Sequence, residues 1–291
     1  MIAVIDSGST KADWKFLSPN ASFPITISTM GFNPYYHNES VILPTIESAF
    51  EGKIEADEVT KVFFYGAGCS DPVRNKIIED ALEKYFTKAV IDVEHDILAA
   101  ARATCGDEPG ISCIMGTGSN SCLYDGKKII DNVPNLAYIL GDEGSGGHLG
   151  KLLIRGYFYR EFPQDIKADF EEVYGNDKQV FLDKIYLQPN ANVYLASFSR
   201  FLSDHKDHIY IKSLVNKAFT EFIARHIRKY DGHNRLPIHF IGSVAYHFGD
   251  ILKLTLDQRS LKLGTIIKKP IDNLVNYHLK REDWEPIKDL S

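Results

Sequence analysis

The chain has 291 residues, of which 44% are hydrophobic and 25% charged, so it is expected to be globular and to have enough apolar material for two moderate cores. Its formal net charge of −6 argues against a nucleic-acid or anionic-membrane partner, and no apolar run approaches the roughly 20 residues that span a bilayer. The first strand is predicted from Ile2 with no leader pattern before it, and the four cysteines show no CxxC spacing, so we expect a cytoplasmic protein with reduced thiols.

The chain begins with a predicted hairpin that carries a small polar loop. Apolar residues at positions 2–5 are followed by the loop DSGSTK at positions 6–11 and by a returning strand at positions 12–17. A third strand is predicted from Phe23 to Met30. Because Pro34 restricts the preceding residue to extended geometry, the segment after that strand is predicted to be a loop.

Helices and strands then alternate along the chain. Asp71 is a predicted helix cap and Pro72 the first residue of that helix, a common arrangement at helix starts. Three strands followed by alternating helices and strands predict an α/β domain with a mixed sheet. Helices are predicted at about 41–50, 72–86 and 96–102, and strands at about 61–65 and 89–93.

A second hairpin with a small polar loop is predicted at positions 111–130, ISCIMGTGSNSCLYDGKKII. The loop Gly116-Thr117-Gly118-Ser119-Asn120 follows a buried apolar run, and the chain turns again at Asp125-Gly126, a dipeptide that favours hairpin turns. The loop is therefore expected between two antiparallel strands, whereas dinucleotide and Walker loops pass from a strand directly into a helix. Two copies of one supersecondary unit predict a duplicated architecture.

The segment 104–110 is the predicted boundary between two domains. A glycine-rich loop at positions 141–147 is followed by a helix toward Tyr159 and by helical pieces as far as Tyr230. Further predicted elements are a strand at 238–241, a turn at Gly242-Ser243, a helix at 244–254 and a final helix at 271–279.

The two hairpin loops have the composition of anion sites. Gly, Ser and Thr at a bend present backbone N–H groups and hydroxyls, and such a loop is well suited to bind phosphate. Two such loops could hold one polyphosphate from both sides. Gly and Ser are also ordinary turn formers, so a local role is open for either loop alone, but the repetition favours phosphate binding.

Four motifs in this order resemble the actin-like sugar kinases, and in particular the BadF/BadG/BcrA/BcrD-type ATPase family that contains N-acetylglucosamine kinase. They are DSGSTK at 6–11, GTGSN at 116–120, GDEGS at 141–145 and IGSV at 241–244. The resemblance covers nearly the whole chain. It implies an α/β fold of two actin-like (ribonuclease H-like) domains with mixed sheets around a central cleft. The last helix would return to the first domain, so that the domains are 1–104 plus 270–291 and 105–269.

The resemblance also implies an ATP site with Mg²⁺. Asp6 suits a hydrated Mg²⁺, which takes one or two protein carboxylates, although a turn role is common for such an aspartate. Gly242 and Ser243 would bind the adenosine, or form a plain turn with a serine cap. The implied phosphate-binding residues are Ser7, Gly8, Ser9, Thr10, Lys11, Gly116, Thr117 and Gly118.

Asp96 matches the position of the general base in the sugar kinases, since it lies at a strand end and a helix start. A helix N-cap is the local alternative for this aspartate. The implied sugar-binding residues are Asn33, Ser119, Asn120 and Asp142. An Asx turn is a local alternative for Asn33, and Asn120 is also explicable locally. Three histidines lack metal-ligand spacing and are predicted to be satisfied surface or cleft residues, namely His95, His148 and His247.

The resemblance thus implies an ATP-dependent kinase that phosphorylates a hydroxyl of an amino sugar, with N-acetylglucosamine as the first choice. N-acetylmuramic acid, glucosamine and glucose stay open as substrates, and so does a homodimer. One rival is an ATPase that activates a CoA-ester dehydratase or reductase through an iron–sulfur cluster between two subunits, which needs cysteines aimed at a dimer axis. The other is a non-catalytic sugar sensor.

Overall fold

The computed structural model describes residues 1–8, 10–19, 23–282 and 284. The chain divides into two compact units, Met1–Gly106 with Pro270–Ser291, and Asp107–Lys269. Within the described ranges, no helix combines the length and the apolar character that crossing a membrane requires.

Both units combine strands and helices. The strands are β1 (Ile2–Ser7), β2 (Ala12–Leu17), β3 (Ile25–Thr29), β4 (Lys61–Gly66), β5 (Val90–His95), β6 (Pro109–Met115), β7 (Ser119–Asp125), β8 (Ile129–Asp131), β9 (Ile238–Ile241) and β10 (Leu263–Ile267). The helices are α1 (Glu39–Phe50), α2 (Pro72–Tyr85), α3 (Asp96–Cys105), α4 (Ala137–Leu140), α5 (Gly146–Phe158), α6 (Gln164–Tyr174), α7 (Lys178–Tyr186), α8 (Ala191–Ser197), α9 (Ser199–Asp204), α10 (Ile209–Arg225), α11 (Ser243–His247), α12 (Gly249–Asp257) and α13 (Ile271–Arg281). Two short 3₁₀ turns are found at Ala56–Glu58 and Ile227–Lys229.

Each unit contains a five-stranded mixed sheet, and the two sheets have the same topology. The first has the order β3-β2-β1-β4-β5 and the second β10-β9-β6-β7-β8. In the first, β1, β4 and β5 are parallel, β2 is antiparallel to β1, and β3 is antiparallel to β2 at the sheet edge. In the second, β6, β9 and β10 are parallel while β7 and β8 complete an antiparallel meander. The predicted α/β class with mixed sheets and the predicted duplication are therefore confirmed.

Each unit also has its own buried core, which fixes the sheet that carries the loops of interest. In the first unit, the indole of Trp14 is fully buried and meets the ring of Phe50 edge to face at 4.9 Å. In the second unit, Phe170 on α6 is fully buried and its ring lies 4.6 Å from that of Tyr157. Aromatic packing of this kind adds to the burial of apolar area.

The C-terminal helix α13 packs on the first sheet and on α3. Asn273 donates its Nδ2 hydrogen to the carbonyl of Ala103 at 2.9 Å. Lys15 on β2 forms an ion pair with Asp272 at the start of α13. The helix that begins at Asp96 is thus held between its own sheet and α13.

Three local predictions differ from the structure. The helix predicted at 244–254 is two helices, because the backbone leaves helical geometry at Phe248, whose φ is −107° and whose ring is buried. Strand β10 was not predicted, since its side chains are half-buried and lack strict alternation. The polar loop of the second hairpin is shorter than predicted, because Ser119 and Asn120 already belong to β7.

Candidate active site

The first polar loop closes tightly between β1 and β2. Gly8 donates its N–H to the carbonyl of Lys11 at 2.9 Å, and Nζ of Lys11 lies 2.6 Å from Oδ1 of Asp13. Gly8, Thr10 and Lys11 are exposed, so an anion could reach the loop. The predicted phosphate ligand Ser9 lies outside the described residues.

Ser7 supports the neighbouring loop rather than facing solvent. Its side chain is fully buried, and its Oγ accepts the N–H of Phe32 at 2.9 Å. A Cβ atom at Gly31 would clash with the carbonyl of Gly8, so only glycine fits there. These contacts bring Asn33 beside the first polar loop.

Asn33 is 7% exposed and forms the Asx turn that was the local alternative. Its Oδ1 accepts the N–H of Tyr35 at 3.0 Å. With Oδ1 engaged in this way, Nδ2 is the group with which Asn33 could bind a substrate oxygen. Gly68 packs against the same carboxamide, because a Cβ atom there would lie 2.6 Å from Oδ1.

Asp6 and Asp96 lie at the same edge of the first sheet. Residues Asp6, Tyr65 and Glu94 are register partners on the parallel strands β1, β4 and β5. The carboxyl ends of these strands therefore meet side by side. In open α/β sheets this is the edge at which ligands bind.

The helix cap that was the local alternative for Asp96 is instead His95. The imidazole Nδ1 of His95 accepts the N–H of Ile97 at 3.1 Å, and Asp96 is the first helical residue. The carboxylate of Asp96 is 28% exposed, and its Oδ1 lies 2.8 Å from that same Nδ1. By contrast, Asp71 caps α2 as predicted, accepting the N–H groups of Val73 and Arg74.

The second polar loop is docked on the start of α5. Gly116 donates its N–H to the carbonyl of Gly118 at 2.9 Å, which closes the loop. The carbonyls of Gly116 and Thr117 accept the N–H groups of Gly146 at 2.8 Å and Gly147 at 3.0 Å. Two amides of the first helical turn, which have no partner within the helix, are thereby satisfied.

Asp142 is held in an unusual backbone conformation beside this loop. Its φ is +59°, a left-handed value that costs a non-glycine residue free energy and is common at functional sites. Its Oδ1 accepts the N–H of Ser119 at 3.0 Å and Nδ2 of Asn135 at 3.1 Å. The carboxylate is 7% exposed, and burial raises its pKa although Ser119 and Asn135 oppose the shift.

Ser119 and Asn120 are held by their neighbours in the second unit. Ser119 is buried and donates its hydroxyl to the carbonyl of Glu143 at 2.8 Å. Oδ1 of Asn120 accepts the N–H of Ser121 at 2.9 Å and Nδ2 of Asn132 at 3.2 Å. Ser119 thus holds the loop that carries Asp142. The carboxamide of Asn120 is fixed near the start of β7.

Sequence reasoning missed Asn135 and the partners of Glu143. Asn135 follows Pro134 in a polar loop, and this was the only local signal for it. Glu143 is 9% exposed, with Oε2 3.3 Å from Nε2 of His226 and Oε1 3.2 Å from Nε of Arg225. These contacts anchor the loop that carries Asp142.

The turn at Gly242 lies directly against the second polar loop. Gly242 has φ +120°, and a Cβ atom there would clash with the carbonyl of Met115 and lie 3.1 Å from the amide nitrogen of Gly116. Ser243 begins α11 beside a cavity of about 360 Å³. The side chains around it include Ser199, Arg200, Asp204, Ser243, His247 and Phe248.

The cysteines have the surroundings of packing residues. All four lie in the described part of the chain, are buried and are not joined in a disulfide. Cys113 is the register partner of Ser121, and Cys122 that of Ser112, so the two thiols point to opposite faces of the second sheet. Burial raises the pKa of Cys69 to about 12 and that of Cys105 to about 11. A shared iron–sulfur cluster needs accessible thiolates, so this arrangement weighs against the CoA-ester ATPase alternative.

The chain is similar to several solved structures. A Porphyromonas gingivalis protein provisionally named N-acetylglucosamine kinase is 38% identical, with a TM-score of 0.90 over 97% of this chain and 100% of that chain. A Chromobacterium violaceum protein with the same provisional name is 19% identical, with a TM-score of 0.69 over 95% and 98%. A ROK family glucokinase from Streptomyces griseus, in complex with glucose and AMPPNP, is 13% identical, with a TM-score of 0.53 over 92% and 93%. The last two similarities concern the fold alone. No protein-family model matches the sequence, and no curated protein matches it either.

Proposed function

The chain belongs to the N-acetylglucosamine kinase-like family of actin-like sugar kinases, and from that premise we propose that it transfers the γ-phosphoryl group of ATP to a hydroxyl of an amino sugar. The observation that carries the proposal is the exposure and position of the Asp96 carboxylate. Its carboxylate is partly exposed and is not used to cap α3, and it lies at the same sheet edge as Asp6. A general base needs a carboxylate that can reach a substrate proton, and one at this edge that does not cap the helix meets that requirement.

ATP would be held by amides of the two polar loops. Residues Gly8, Thr10 and Lys11 would meet the phosphates from the first unit, and the loop Gly116–Gly118 from the second. The adenosine would occupy the cavity beside Ser243, whose volume of about 360 Å³ falls in the usual range of ligand pockets. The close approach of Gly242 to Met115 and Gly116 supports this assignment, because Ser243, which lines the cavity, directly follows Gly242.

Mg²⁺ fits the donor at the end of β1. Asp6 offers a hard carboxylate oxygen there, and Mg²⁺ characteristically takes one or two protein carboxylates and keeps several waters. When bound, the ion neutralises the charge that develops on the β- and γ-phosphates. Lys11, ion-paired with Asp13, would contribute further positive charge close by.

The acceptor hydroxyl would give its proton to Asp96 as its oxygen bonds to the γ-phosphorus, while the bond from that phosphorus to the β,γ-bridging oxygen breaks and ADP leaves. Asp142, Asn33 and Asn120 would bind the other polar groups of the sugar. Asp142 is suited to this because it is buried, and a buried carboxylate rejects ligands that leave it unpaired. N-acetylglucosamine is the first candidate, since the 38% identical relative carries that provisional name.

The test is ADP release by the purified chain across a panel of sugars. The panel contains N-acetylglucosamine, N-acetylmuramic acid, glucosamine and glucose, each with and without Mg²⁺. We expect release that depends on both metal and sugar, and fastest with an acetamido sugar. Sugar binding without ADP release would instead identify a sensor and overturn the proposal.

A further inference from the structure

His95 and Asp96 join β5 to α3, and one nitrogen of the histidine faces two partners. Its Nδ1 accepts the N–H of Ile97 at 3.1 Å and lies 2.8 Å from Oδ1 of Asp96. A ring nitrogen carries either a lone pair or a proton. Nδ1 can therefore accept from the amide or donate to the carboxylate, but not both at once.

The carboxylate depends on which of these bonds forms. Oδ1 of Asp96 is shielded from solvent and has no hydrogen-bond donor as long as Nδ1 presents its lone pair to Ile97. Two lone pairs then face each other at 2.8 Å, which is unfavourable. A proton on Nδ1 satisfies the buried oxygen. The exposed part of the side chain belongs to its other atoms, which leaves Oδ2 to meet a substrate.

The charges around the ring favour the protonated form. Burial by itself would lower the pKa of His95, but the hydrogen bond to Asp96 and the charges of Asp96 and Glu94 outweigh it, so the pKa is raised. Arg102 on α3 and Asp92 on β5 act on Glu94 with opposite signs. Cys69, after β4, is a neutral thiol because burial and the charge of Asp96 raise its pKa to about 12.

We propose that His95 is a positioning residue, which donates Nδ1–H to Oδ1 of Asp96 and thereby directs Oδ2 toward the acceptor hydroxyl. This inference rests on the proposed kinase function. When the pH rises and His95 loses its proton, Nδ1 accepts the N–H of Ile97 and the hydrogen bond to the Asp96 carboxylate is lost. A positive neighbour also weakens a base, but phosphoryl transfer relies on positioning more than on base strength, so orientation decides the outcome.

Two substitutions of His95 separate its positioning role from its capping role. His95→Ala removes both bonds, and kcat is expected to fall roughly 10- to 100-fold while KM for ATP hardly changes. The carboxamide of His95→Asn can accept from Ile97 and donate to Asp96 together, and it does not titrate. This variant should recover most of kcat and lack the alkaline fall in kcat that the proposal predicts for the wild type.

A matched control is available at His208. This histidine caps α10 in the same way, with Nδ1 accepting the N–H of Tyr210 at 3.1 Å. His208→Ala should lower stability to a similar degree as His95→Ala without lowering kcat. The proposal is overturned if His95→Ala keeps wild-type kcat, if His95→Asn keeps the alkaline fall, or if His208→Ala reduces kcat equally.

A titration that needs no turnover tests the bond itself. Imidazole ¹⁵N signals, assigned by their loss in His95→Asn, should give His95 a pKa above its ordinary value in the wild type and a lower one in Asp96→Asn. An identical titration in both proteins would disprove the bond. If the wild type releases no ADP with any sugar, the proposed function fails, and the titration still decides on the bond between His95 and Asp96.

Discussion

The hydroxyl of Tyr65 lies 2.8 Å from Nε2 of His278 and accepts a hydrogen bond from Nη1 of Arg102 at 2.6 Å. Because that hydroxyl accepts from arginine, its own proton points to the histidine, which is therefore a neutral acceptor. The imidazole also stacks on Phe63 with a centroid distance of 3.8 Å. Strand β4, helix α3 and helix α13 thus meet in one buried polar network.

Acidification is expected to destabilise the chain through His278. Burial, with the charges of Arg102 and Arg281, lowers the pKa of His278 to about 3. In the unfolded chain this histidine has a higher pKa, so as the pH falls the unfolded state binds the proton first. The contribution of neutral His278 to folding stability is therefore complete above about pH 6.5 and is lost as the pH falls toward 3. Within that window the free energy of unfolding should fall by about 1.4 kcal/mol for each unit by which the pH is lowered.

Urea unfolding at several pH values measures this dependence. His278→Gln keeps a polar group near the position of Nε2 but does not titrate, so its stability should depend less steeply on pH below 6.5. His233→Gln, in the second unit and outside this network, is the control for the substitution itself. Equal acid slopes in His278→Gln and the wild type would contradict the assignment.

Tyr65→Phe is expected to destabilise the first unit without changing its fold. The substitution removes an acceptor from Arg102, whose Nε is already buried without a hydrogen-bond partner. Loss of such a partner costs about 1–3 kcal/mol. Chemical denaturation measures it, and a double-mutant cycle with His278→Gln should show the two changes to be less than additive. Strict additivity would show that the hydroxyl and the imidazole do not interact.

Asp96→Asn is expected to lower kcat by roughly 10²–10⁴ with nucleotide affinity largely kept, because proton acceptance is lost while the phosphate loops are untouched. Sugar-dependent ADP release gives kcat, and titration with a non-hydrolysable ATP analogue gives the affinity. Asp71→Asn, at a helix cap that asparagine also fills well, should retain turnover. Unchanged turnover in Asp96→Asn would exclude this residue as the base.

Asn135→Ala is expected to weaken sugar binding. Asp142 would keep the Ser119 amide but lose the bond from Asn135, and a hydrogen bond to a charged group is worth about 1.5–3 kcal/mol. We expect KM for the sugar to rise about tenfold or more, with the affinity for the ATP analogue unchanged. A rise in both would instead indicate that the whole loop has moved.

Gly242→Ala is expected to weaken nucleotide binding, and Gly175→Ala is its control. Both glycines have positive φ, but a Cβ atom at Gly175 meets nothing within 4 Å, whereas one at Gly242 clashes with the Met115 carbonyl. Gly175→Ala should therefore cost only about 1 kcal/mol of stability through backbone strain. A larger loss together with reduced affinity for the ATP analogue is expected for Gly242→Ala. Equal losses of stability and affinity in the two variants would show that the close approach of Gly242 to the Met115 carbonyl is not the cause.

Local chemistry was enough to predict much of the scaffold. The hairpins around both polar loops, the strand at Ile238–Ile241 and the Asp71 cap depend on turn residues, alternation and capping, which act between neighbours in the chain. The duplicated hairpin motif also predicted the repeated sheet topology that the structure contains. The helix break at Phe248, whose ring is buried, was not indicated by the local pattern of residues.

The sequence by itself determined the mixed sheet of the first unit, the duplicated hairpin and the positions of the polar loops along the chain, because periodicity and turn chemistry are local. Only the tertiary structure decided which side chains those loops meet. His226 on Glu143 and His278 on Tyr65 join residues that lie 83 and 213 positions apart. Such pairs arise from the packing of whole elements, which buries polar groups and leaves each of them to find its partner.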